Sequence, residues 1–460
     1  MQTSTSTVSL RSSGNLTRFC ILAFGLWLHA ACSMLAATTL PTAIDEIGGA
    51  RLIGWAFSLY QLGSIVAGAA TGLLVSRHGV RTSLLLAGGI YVCGSVVCAL
   101  APTMAVLVTG RLIQGVGGGG LVALTFVFIN REFPADLIPR LQGILSALWS
   151  VSAFCGPLVG GSFATLGLWR YAFWAFVLQG LVFLVAVVLI FRDSPGRSKD
   201  SSVRIPIFRL GILATAILCV SLAGATDQRA LSLLLICASV VLFFAFLRLD
   251  DRRAESRMFP SRPFYLGHRI GAGLVTVFTA GVSTMTFLVF APYFLEALFG
   301  LTPLAAGYVV VLESVGWGCA AVAVSRSRHD ILFIRCGVAL VTLSVGGLAV
   351  TMSSGLLFGV VAFALVQGAA FGMMWGFIIK RAVGAVDEAE RDITSSALPA
   401  TQQSSFAVGA ALAGLVANAS GFGDNVDPAV ISGVAFWAFA AFLPVALFAN
   451  YAAWRFTRDN

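Results

Sequence analysis

Glu313 is the acidic residue of this sequence whose surroundings most favour chemistry. It lies at the middle of an apolar run, GYVVVLESVGWG, with Gly316 and Trp317 three and four residues further on. In a helix, that spacing places the carboxylate, a gap and an aromatic face on one side. A carboxylate removed from water in this way can exchange a proton or bind an organic cation. The alternative interpretation is a structural hydrogen bond to another helix.

Arg111 and His29 also lie inside apolar runs. Arg111 is about eight residues from one end of its run, which places it roughly 12 Å deep. A cation so deeply buried faces a cavity or a partner, or else is a structural pin bonded to carbonyl groups. His29 is aligned by helical spacing with Cys32 and Ser33, and could either change its charge or hydrogen-bond to a neighbouring helix. Gln114, three residues after Arg111, could line a cavity.

Of the other acids, those in polar connections are interpreted as solvated, Asp227 and Glu296 as solvated acids at the membrane interface, and Glu132 as a partner for Arg131 or Arg77. Asp45 and Glu46 follow the first apolar run, Asp227 and Glu296 end later runs, and the remaining acids, Asp250 among them, fall in polar connections or just past a run. The nine cysteines form no CxxC pair and no cluster with histidine, so we expect neither a metal site nor disulfides.

The elements that carry these residues must be membrane helices. Of the 460 residues 58% are apolar and 11% are charged, against about 25% charged in soluble domains. This composition excludes an ordinary cytosolic enzyme, a disordered chain and a nucleic-acid binder. Fourteen apolar runs are each long enough to cross about 30 Å of hydrocarbon. They cover about residues 19–40, 54–76, 82–101, 104–129, 141–165, 171–191, 207–226, 230–247, 270–295, 304–324, 331–352, 355–379, 397–421 and 430–453.

Basic residues orient the runs. If the N-terminus is cytoplasmic, 25 of the 29 basic residues fall in cytoplasmic segments, and only Arg51, Arg170 and Arg229 fall in outer loops. Cytoplasmic loops of membrane proteins carry such an excess of Lys and Arg. The sequence therefore predicts an even number of spans with both termini in the cytoplasm. The first run is too long for the apolar region of a signal peptide, and we expect it to be retained.

Two long basic connections separate an inserted helix pair from the helices before and after it. With the two tails, this gives five segments. We predict a cytoplasmic tail at 1–18, a six-helix bundle at 19–191, basic linkers with two additional helices at 192–269, a second six-helix bundle at 270–454 and a tail at 455–460. The predicted fold class is thus an all-α polytopic membrane protein. Paired bundles around a site at the membrane midplane are common in secondary transporters.

Three motifs resemble those of the major facilitator superfamily. The connection GLLVSRHGVR is similar to its signature loop, Gly-x-x-x-Asp-Arg-x-Gly-Arg, with Ser76 at the position of the aspartate. The run VLVTGRLIQGVGGG resembles its second motif, and GPLVGG resembles the motif of its antiporter branches. The matching residues are Gly72, Arg77, Gly79 and Arg81 in the loop, Arg111, Gln114 and Gly115 in the second motif, and Gly156, Pro157, Gly160 and Gly161 in the third.

Two further segments are similar to the fourteen-span drug:proton antiporter family of that superfamily. They are LPTAIDEIG at residues 40–48, followed by Trp55, and WRYAF at residues 169–173. The resemblance implies two six-helix bundles with an inserted, peripheral helix pair. It also implies that Arg111 takes part in proton transfer and that Asp45 serves as a gate or proton entry. Related drug antiporters carry an aspartate where Cys32 falls here.

We therefore expect a proton-driven exporter of amphipathic or cationic small molecules that works by rocking of the two bundles. The expected site residues are Glu313, Trp317, Arg111, Gln114, His29, Asp45 and Glu46. The expected partners are a small-molecule substrate, protons and the lipid of a bacterial-type cytoplasmic (inner) membrane, with a monomeric chain, no nucleic acid and no cofactor beyond the proton gradient. The alternative is an exporter dedicated to one endogenous metabolite, siderophore or lipid. Without a Walker or HExxH motif, neither a primary pump nor an enzyme is expected.

Overall fold

The computed structural model describes residues 15–133, 137–191, 207–226, 228–252, 257, 259–260, 262–424 and 428–458. Over these residues the chain is helical and has no strand. The helices are α1 (Asn15–Ile47), a short 3-10 helix (Ala50–Leu52), α2 (Ile53–Ala99), α3 (Met104–Glu132), α4 (Ile138–Thr165), α5 (Trp169–Ile190), α6 (Ile207–Ala225), α7 (Arg229–Asp251), α8 (Arg269–Phe299), α9 (Pro303–Val324), α10 (Asp330–Ser353), α11 (Leu357–Gly384), α12 (Glu388–Ala419), α13 (Pro428–Ala440) and α14 (Leu443–Thr457).

The fourteen predicted runs coincide with these helices, which confirms the predicted fold class. α2 contains the second and third runs, and α13 together with α14 forms a single span, Val430–Thr457. Within the described part of the chain, 13 helical stretches are long and apolar enough to cross a membrane. The remaining run is α12, which carries Glu388 and Glu390 in its first turn. Most of the predicted N-terminal tail and of the first linker lies outside the described residues, so the predicted segment boundaries stay a prediction.

Glycines determine how closely the helices of the first bundle, α1 to α5, approach one another. A Cβ added to Gly63 on α2 would lie 2.5 Å from the carbonyl oxygen of Leu112 on α3. A Cβ on Gly115 would overlap with the backbone of Tyr60. Small residues permit such contacts between membrane helices, whose association is driven by packing rather than by the hydrophobic effect. The two halves of α2 and α3 therefore form a compact unit inside this bundle.

The second bundle, α8 to α14, is built around α8, whose side chains are buried almost continuously from Ile270 to Leu295. α9 and α11 lie beside it and touch each other along their backbones. A Cβ on Gly316 of α9 would overlap with the carbonyl of Leu365, and a Cβ on Gly368 of α11 would overlap with the carbonyl of Glu313.

The two bundles meet near one end of the molecule, where α1 leads into α2 and α8 leads into α9. There α2 packs against α12, because Gly54 would place a Cβ 2.7 Å from the carbonyl oxygen of Ala410. α4 packs against α9, where a Cβ on Gly161 would lie 2.7 Å from Cα of Leu304. We call this the closed end.

The inserted pair, α6 and α7, lies beside both bundles. At the closed end, Trp55 Nε1 of α2 donates to the carbonyl of Ser221 on α6 at 2.8 Å. Asn418 Nδ2 of α12 donates to the carbonyl of Gly224 at 2.8 Å. On the α7 side, Phe243 packs against Phe278 of α8, with ring centroids 5.6 Å apart. The pair is thus attached to the second bundle through α7 and α12 and to the first through α2.

Two expectations for the acids were wrong. Asp250 does not lie in solvent but is fully buried at the end of α7, where it forms an ion pair with Arg209 of α6 and accepts a hydrogen bond from the Phe259 amide at 3.0 Å. Glu296 keeps its Oε1 atom buried. Sequence position suggested a polar connection for Asp250 and the end of a span for Glu296, whereas the structure buries Asp250 and one carboxylate oxygen of Glu296.

Candidate functional site

Arg111 on α3 lies at the centre of the first bundle and is fully buried. Its Nη1 donates to Gln114 Oε1 at 2.7 Å and to the Cys32 carbonyl at 3.4 Å, and its Nε donates to the Ala56 carbonyl at 3.3 Å. The guanidinium carbon lies 4.0 Å from the ring centroid of Tyr60. These bonds join α1, α2 and α3, so most of the guanidinium is used as a structural pin.

One nitrogen of Arg111 differs from the others. Its Nη2 is buried and has no hydrogen-bond partner among the described residues, and no acidic side chain in that part of the chain forms an ion pair with Arg111. Gln114 is also fully buried and donates to Ser95 Oγ at 2.8 Å, so it holds Arg111 in place. A buried cation with a vacant donor is suited to binding an anionic group or to repelling a proton.

His29 and Tyr60 form a stacked pair next to Arg111. The Tyr60 hydroxyl lies 2.9 Å from His29 Nδ1 and donates to the His29 carbonyl at 3.0 Å. The two rings are 5.2 Å apart, and the ring of Trp149 on α4 meets that of His29 edge-on at 5.8 Å. A Cβ on Gly118 would lie 2.7 Å from His29 Nδ1, so only glycine leaves room for the imidazole. His29 is therefore hydrogen-bonded to a neighbouring helix, which is one of the two roles predicted for it from the sequence.

Glu313 lies midway along α9 in the second bundle, where it is half-buried. Gln367 Nε2 of α11 donates to its carboxylate at 3.2 Å, and among the described residues no cation pairs with it. One turn further along α9, Trp317 stacks on Phe371, with centroids 5.4 Å apart and planes within 6°. Trp375 lies 6.5 Å from Trp317. The structure thus brings a single carboxylate, an amide and an aromatic cluster together.

The expected gap beside Glu313 is absent from this site. Gly316 does lie on the same side of α9 as Glu313, but the Leu365 carbonyl of α11 occupies the space in front of it. The glycine therefore serves helix packing. Because Gly316 and Gly368 bring the two backbones into contact, the Glu313 side chain is held close to Gln367.

Asp45 and Glu46 lie at the closed end, far along α1 from His29. Glu46 forms an ion pair with Arg170 and accepts from Trp169 Nε1 at 2.7 Å. Arg170 also donates to the Ala101 carbonyl at 3.0 Å, so Glu46 belongs to a clamp that joins α1, α5 and the α2–α3 connection. Asp45 is exposed. The structure therefore separates these two acids from the Glu313 cluster.

The sequence profile of the Major Facilitator Superfamily matches residues 22–345. The chain belongs to this superfamily. A probable multidrug-efflux transporter of Mycobacterium tuberculosis (strain ATCC 25618 / H37Rv) is 33% identical to it over 421 residues, which cover 88% of each chain. The multidrug efflux pump SdrM of Staphylococcus aureus (strain N315) is 24% identical over 64% of this chain and 65% of its own.

Solved structures with a similar fold include that of a D-xylose–proton symporter. That structure has a TM-score of 0.68 and 16% identity and covers 96% of this chain and 98% of its own. The inward-open xylose transporter XylE from E. coli has a TM-score of 0.64 and covers 97% of both chains. At these identities the likeness concerns the fold. Together with the sequence relatives, it makes this chain a membrane transporter.

The signature loop of this transporter lies where α2 changes direction. Gly79 interrupts the helix with φ 77° and ψ 170°, a conformation that favours glycine. Arg81 donates to the Val188 carbonyl of α5 at 3.5 Å, and Arg77 is exposed. Gly72 lies in α2 shortly before the bend. The loop thus joins two spans and contacts the end of α5.

The antiporter-type motif lies where the two bundles meet. A Cβ on Gly156 would lie 2.6 Å from Cβ of Met34, and one on Gly160 would overlap with Thr38, both on α1. Gly307 of α9 faces Pro157 in turn, with a Cβ there 3.0 Å from Cβ of the proline. The glycines of α4 therefore let this helix approach α1 closely within the first bundle and α9 closely across the bundle boundary.

Several residues of the site carried no motif. Four polar residues bond to elements distant in sequence, and only their polarity inside or beside an apolar run could have suggested a role. They are Ser95, Ser221, Asn418 and Asp424, of which Asp424 accepts a hydrogen bond from the Ala50 amide at 2.6 Å. Other residues of the site are polar or aromatic side chains within apolar runs, which is a signal that the sequence carries. The direction in which each side chain points depends on how the helices pack. These residues are Tyr60, Gln367, Trp149 and Trp375.

Proposed function

We propose that this transporter exports amphipathic or cationic small molecules in exchange for protons. The observation that carries the proposal is the Glu313 cluster: a half-buried carboxylate without a paired cation in the described part of the chain, hydrogen-bonded to Gln367 and flanked by Trp317. Such a group can hold either a proton or a cation, and competition between the two couples their movements. Aromatic faces add affinity for organic cations. The efflux transporters among its relatives support the same direction of transport.

Rocking of the bundles supplies the alternating access in this proposal. The proposal takes the N-terminus as cytoplasmic, so the closed end is the outer end and its contacts separate the site from the outside. In the outward-facing state the contacts of Gly54 with α12 and of Gly161 with α9 would open. Glycine–backbone contacts of this kind have no side chains to interlock, so the two bundles can separate as rigid bodies.

The test is transport by purified protein in liposomes with an imposed pH gradient, with ethidium as an aromatic organic cation. The proposal expects uphill ethidium transport by the natural protein and its loss in Glu313→Gln, while downhill exchange persists. Glu388→Gln is the matched control, since Glu388 is exposed in the first turn of α12. If Glu313→Gln transports ethidium uphill as fast as the natural protein does, Glu313 takes no part in proton coupling.

The variant Arg111→Lys distinguishes a structural role of Arg111 from a role in proton transfer. Lysine keeps the charge but cannot reproduce the bonds to Gln114, Cys32 and Ala56 in the guanidinium geometry. If the geometry matters, Arg111→Lys loses thermal stability and transport together. Loss of proton coupling with unchanged stability would instead support direct participation in proton transfer.

A dedicated exporter of one metabolite, siderophore or lipid remains the second candidate. Cys32 favours it, because its Sγ lies 3.4 Å from Arg111 Nη1 and it is fully buried in α1, so this position supplies no negative charge for a second cationic group. Competition for ethidium transport by a panel of unrelated monocations, dications and neutral amphiphiles distinguishes the candidates. Competition by many members supports polyspecific export, whereas competition by none of them supports a dedicated cargo.

A further inference from the structure

Three arginines surround a small polar cavity at the end of the second bundle opposite to the closed end. The cavity has a volume of about 90 Å³ and is lined by Leu266, Gly267, Arg269, Arg455 and Arg458. Arg269 is the first residue of α8, and Arg455 and Arg458 lie at the end of α14. Among the described residues, no acid belongs to this lining. At about 30 Å³ for each water molecule, the volume equals roughly three waters, enough for a compact group such as a phosphate.

Two of the three arginines, Arg455 and Arg458, have unused hydrogen-bonding capacity. Arg455 donates from Nε to the Leu266 carbonyl at 3.3 Å, and its two terminal nitrogens have no partner among the described residues. The Arg458 guanidinium lies over the ring of Trp454, with Cζ 5.1 Å from the ring centroid, and its side chain makes no hydrogen bond or ion pair with the described residues. The first turn of α8 adds amide groups that no side chain of its N-cap residue, His268, satisfies. All of these groups are donors that favour an anion.

The cavity continues into an exposed aromatic face that runs down α14 into the membrane span. Phe448, Tyr451 and Trp454 are 40 to 47% exposed and stack successively, with centroids 6.2 and 6.0 Å apart. The span formed by α13 and α14 ends at Thr457, and the α8 span begins at Arg269. Trp and Tyr at such a position belong to the boundary between lipid and water. An occupant of the cavity can therefore extend along apolar side chains.

We propose that this cavity binds the phosphodiester headgroup of an anionic phospholipid, whose acyl chains lie against Phe448, Tyr451 and Trp454. Charge complementarity selects an anionic over a zwitterionic headgroup, because three cations converge and no acid is among the described residues of the lining. The aromatic face selects a lipid over a soluble anion, because it supplies apolar contact only to a ligand with chains. The lipid joins α8 to α14 at the end of the second bundle opposite to the closed end.

The test is lipid binding by the delipidated full-length protein in neutral detergent. Phosphatidylglycerol, phosphatidylcholine and inorganic phosphate are titrated separately, and retained ligand is counted by native mass spectrometry alongside thermal unfolding. The proposal expects phosphatidylglycerol alone to bind and to raise the unfolding temperature. At about fivefold for each cation, the variant Arg269→Gln/Arg455→Gln/Arg458→Gln should bind phosphatidylglycerol about a hundredfold more weakly.

A second triple variant, Arg326→Gln/Arg328→Gln/Arg391→Gln, is the matched control. It removes three exposed cations from the same end of the bundle, outside the cavity. If the first variant fails to fold, Arg458→Gln alone tests the site with an expected fivefold loss. Equal weakening by both triple variants, equal binding of the two lipids, or binding of inorganic phosphate as tight as that of phosphatidylglycerol would each overturn the proposal.

Discussion

Gln367 on α11 donates a hydrogen bond to the carboxylate of Glu313 on α9, at 3.2 Å. Gln367 is fully buried, and its Oε1 has no partner among the described residues. Among the described residues, the Gln367 amide thus bonds to the Glu313 carboxylate alone, and this bond orients the carboxylate towards α11. The two residues would therefore have different roles. Glu313 would carry the charge, and Gln367 would only hold the carboxylate in position.

Gln367→Met should slow substrate-dependent proton release without abolishing it. The carboxylate remains, but it loses its donor and samples more orientations. The loss of one hydrogen bond between membrane helices costs about 0.6 kcal/mol on average, so the folded state should persist. Proton release by purified protein on addition of ethidium measures the effect. Gln142→Met on the exposed face of α4 is the control, and complete loss of release in Gln367→Met would assign Gln367 a direct role in coupling.

Gly368→Ala should disrupt the packing of α9 on α11. The added Cβ would overlap with the carbonyl of Glu313, which belongs to a helix backbone and cannot rotate away. Overpacking of this kind costs about 1–3 kcal/mol. Thermal unfolding followed by size-exclusion chromatography should show the loss.

Gly376→Ala provides the comparison on the same helix. A Cβ at Gly376 meets nothing within 4 Å, and alanine has a higher helix propensity than glycine by about 1 kcal/mol. This variant should be as stable as the natural protein or more so. Equal unfolding temperatures for the two variants would show that the close α9–α11 contact does not limit stability.

Asn418→Ala should open the closed end. Asn418 of α12 donates to the Arg51 carbonyl of the first bundle at 2.9 Å and to Gly224 of α6 at 2.8 Å. At about 0.5–1.5 kcal/mol for each bond, their loss should shift the equilibrium towards the open state by roughly tenfold. Spin labels at the exposed Leu100 and Leu356, in different bundles at this end, report the distance.

Ser420→Ala is the matched control for that shift. Ser420 lies just past the end of α12, and its hydroxyl bonds only within its own helix, to the Val416 carbonyl at 2.8 Å. Its removal should leave the distance distribution unchanged. A distribution in Asn418→Ala that matches the natural protein would show that the glycine contacts alone hold this end closed.

Asp250→Asn should strongly destabilise the α6–α7 pair. It replaces the carboxylate that pairs with the buried guanidinium of Arg209 by a neutral amide, and removing one partner of a buried ion pair typically costs about 3–5 kcal/mol. The apolar double variant Arg209→Met/Asp250→Leu should recover much of that loss, because it removes both charges. Asp251→Asn, at an exposed neighbour, should change stability by less than about 0.5 kcal/mol. Chemical unfolding of the four proteins decides, and a stable Asp250→Asn single variant would contradict the expectation.

Span positions and fold were predictable because they depend on properties that the sequence carries locally. A run of apolar residues long enough to cross the bilayer must be helical, since its backbone groups find no water there. Glu313 could be singled out for a related reason, as an acid at the middle of such a run. The neighbours that Gln114 and Gly316 face could not be predicted, because every side of a helix in lipid can be apolar and periodicity then does not show which side meets which helix.

The sequence by itself determined that the chain is a bundle of membrane helices, which residues interrupt the apolar runs and which family motifs they match. Only the tertiary structure decided that Arg111 is bonded to three helices, that Glu46 belongs to a clamp, and that Glu313 faces Gln367 and an aromatic cluster. The reason is that apolar composition is a property of each segment, whereas the partner of a buried polar group is chosen by how segments far apart in the chain pack together.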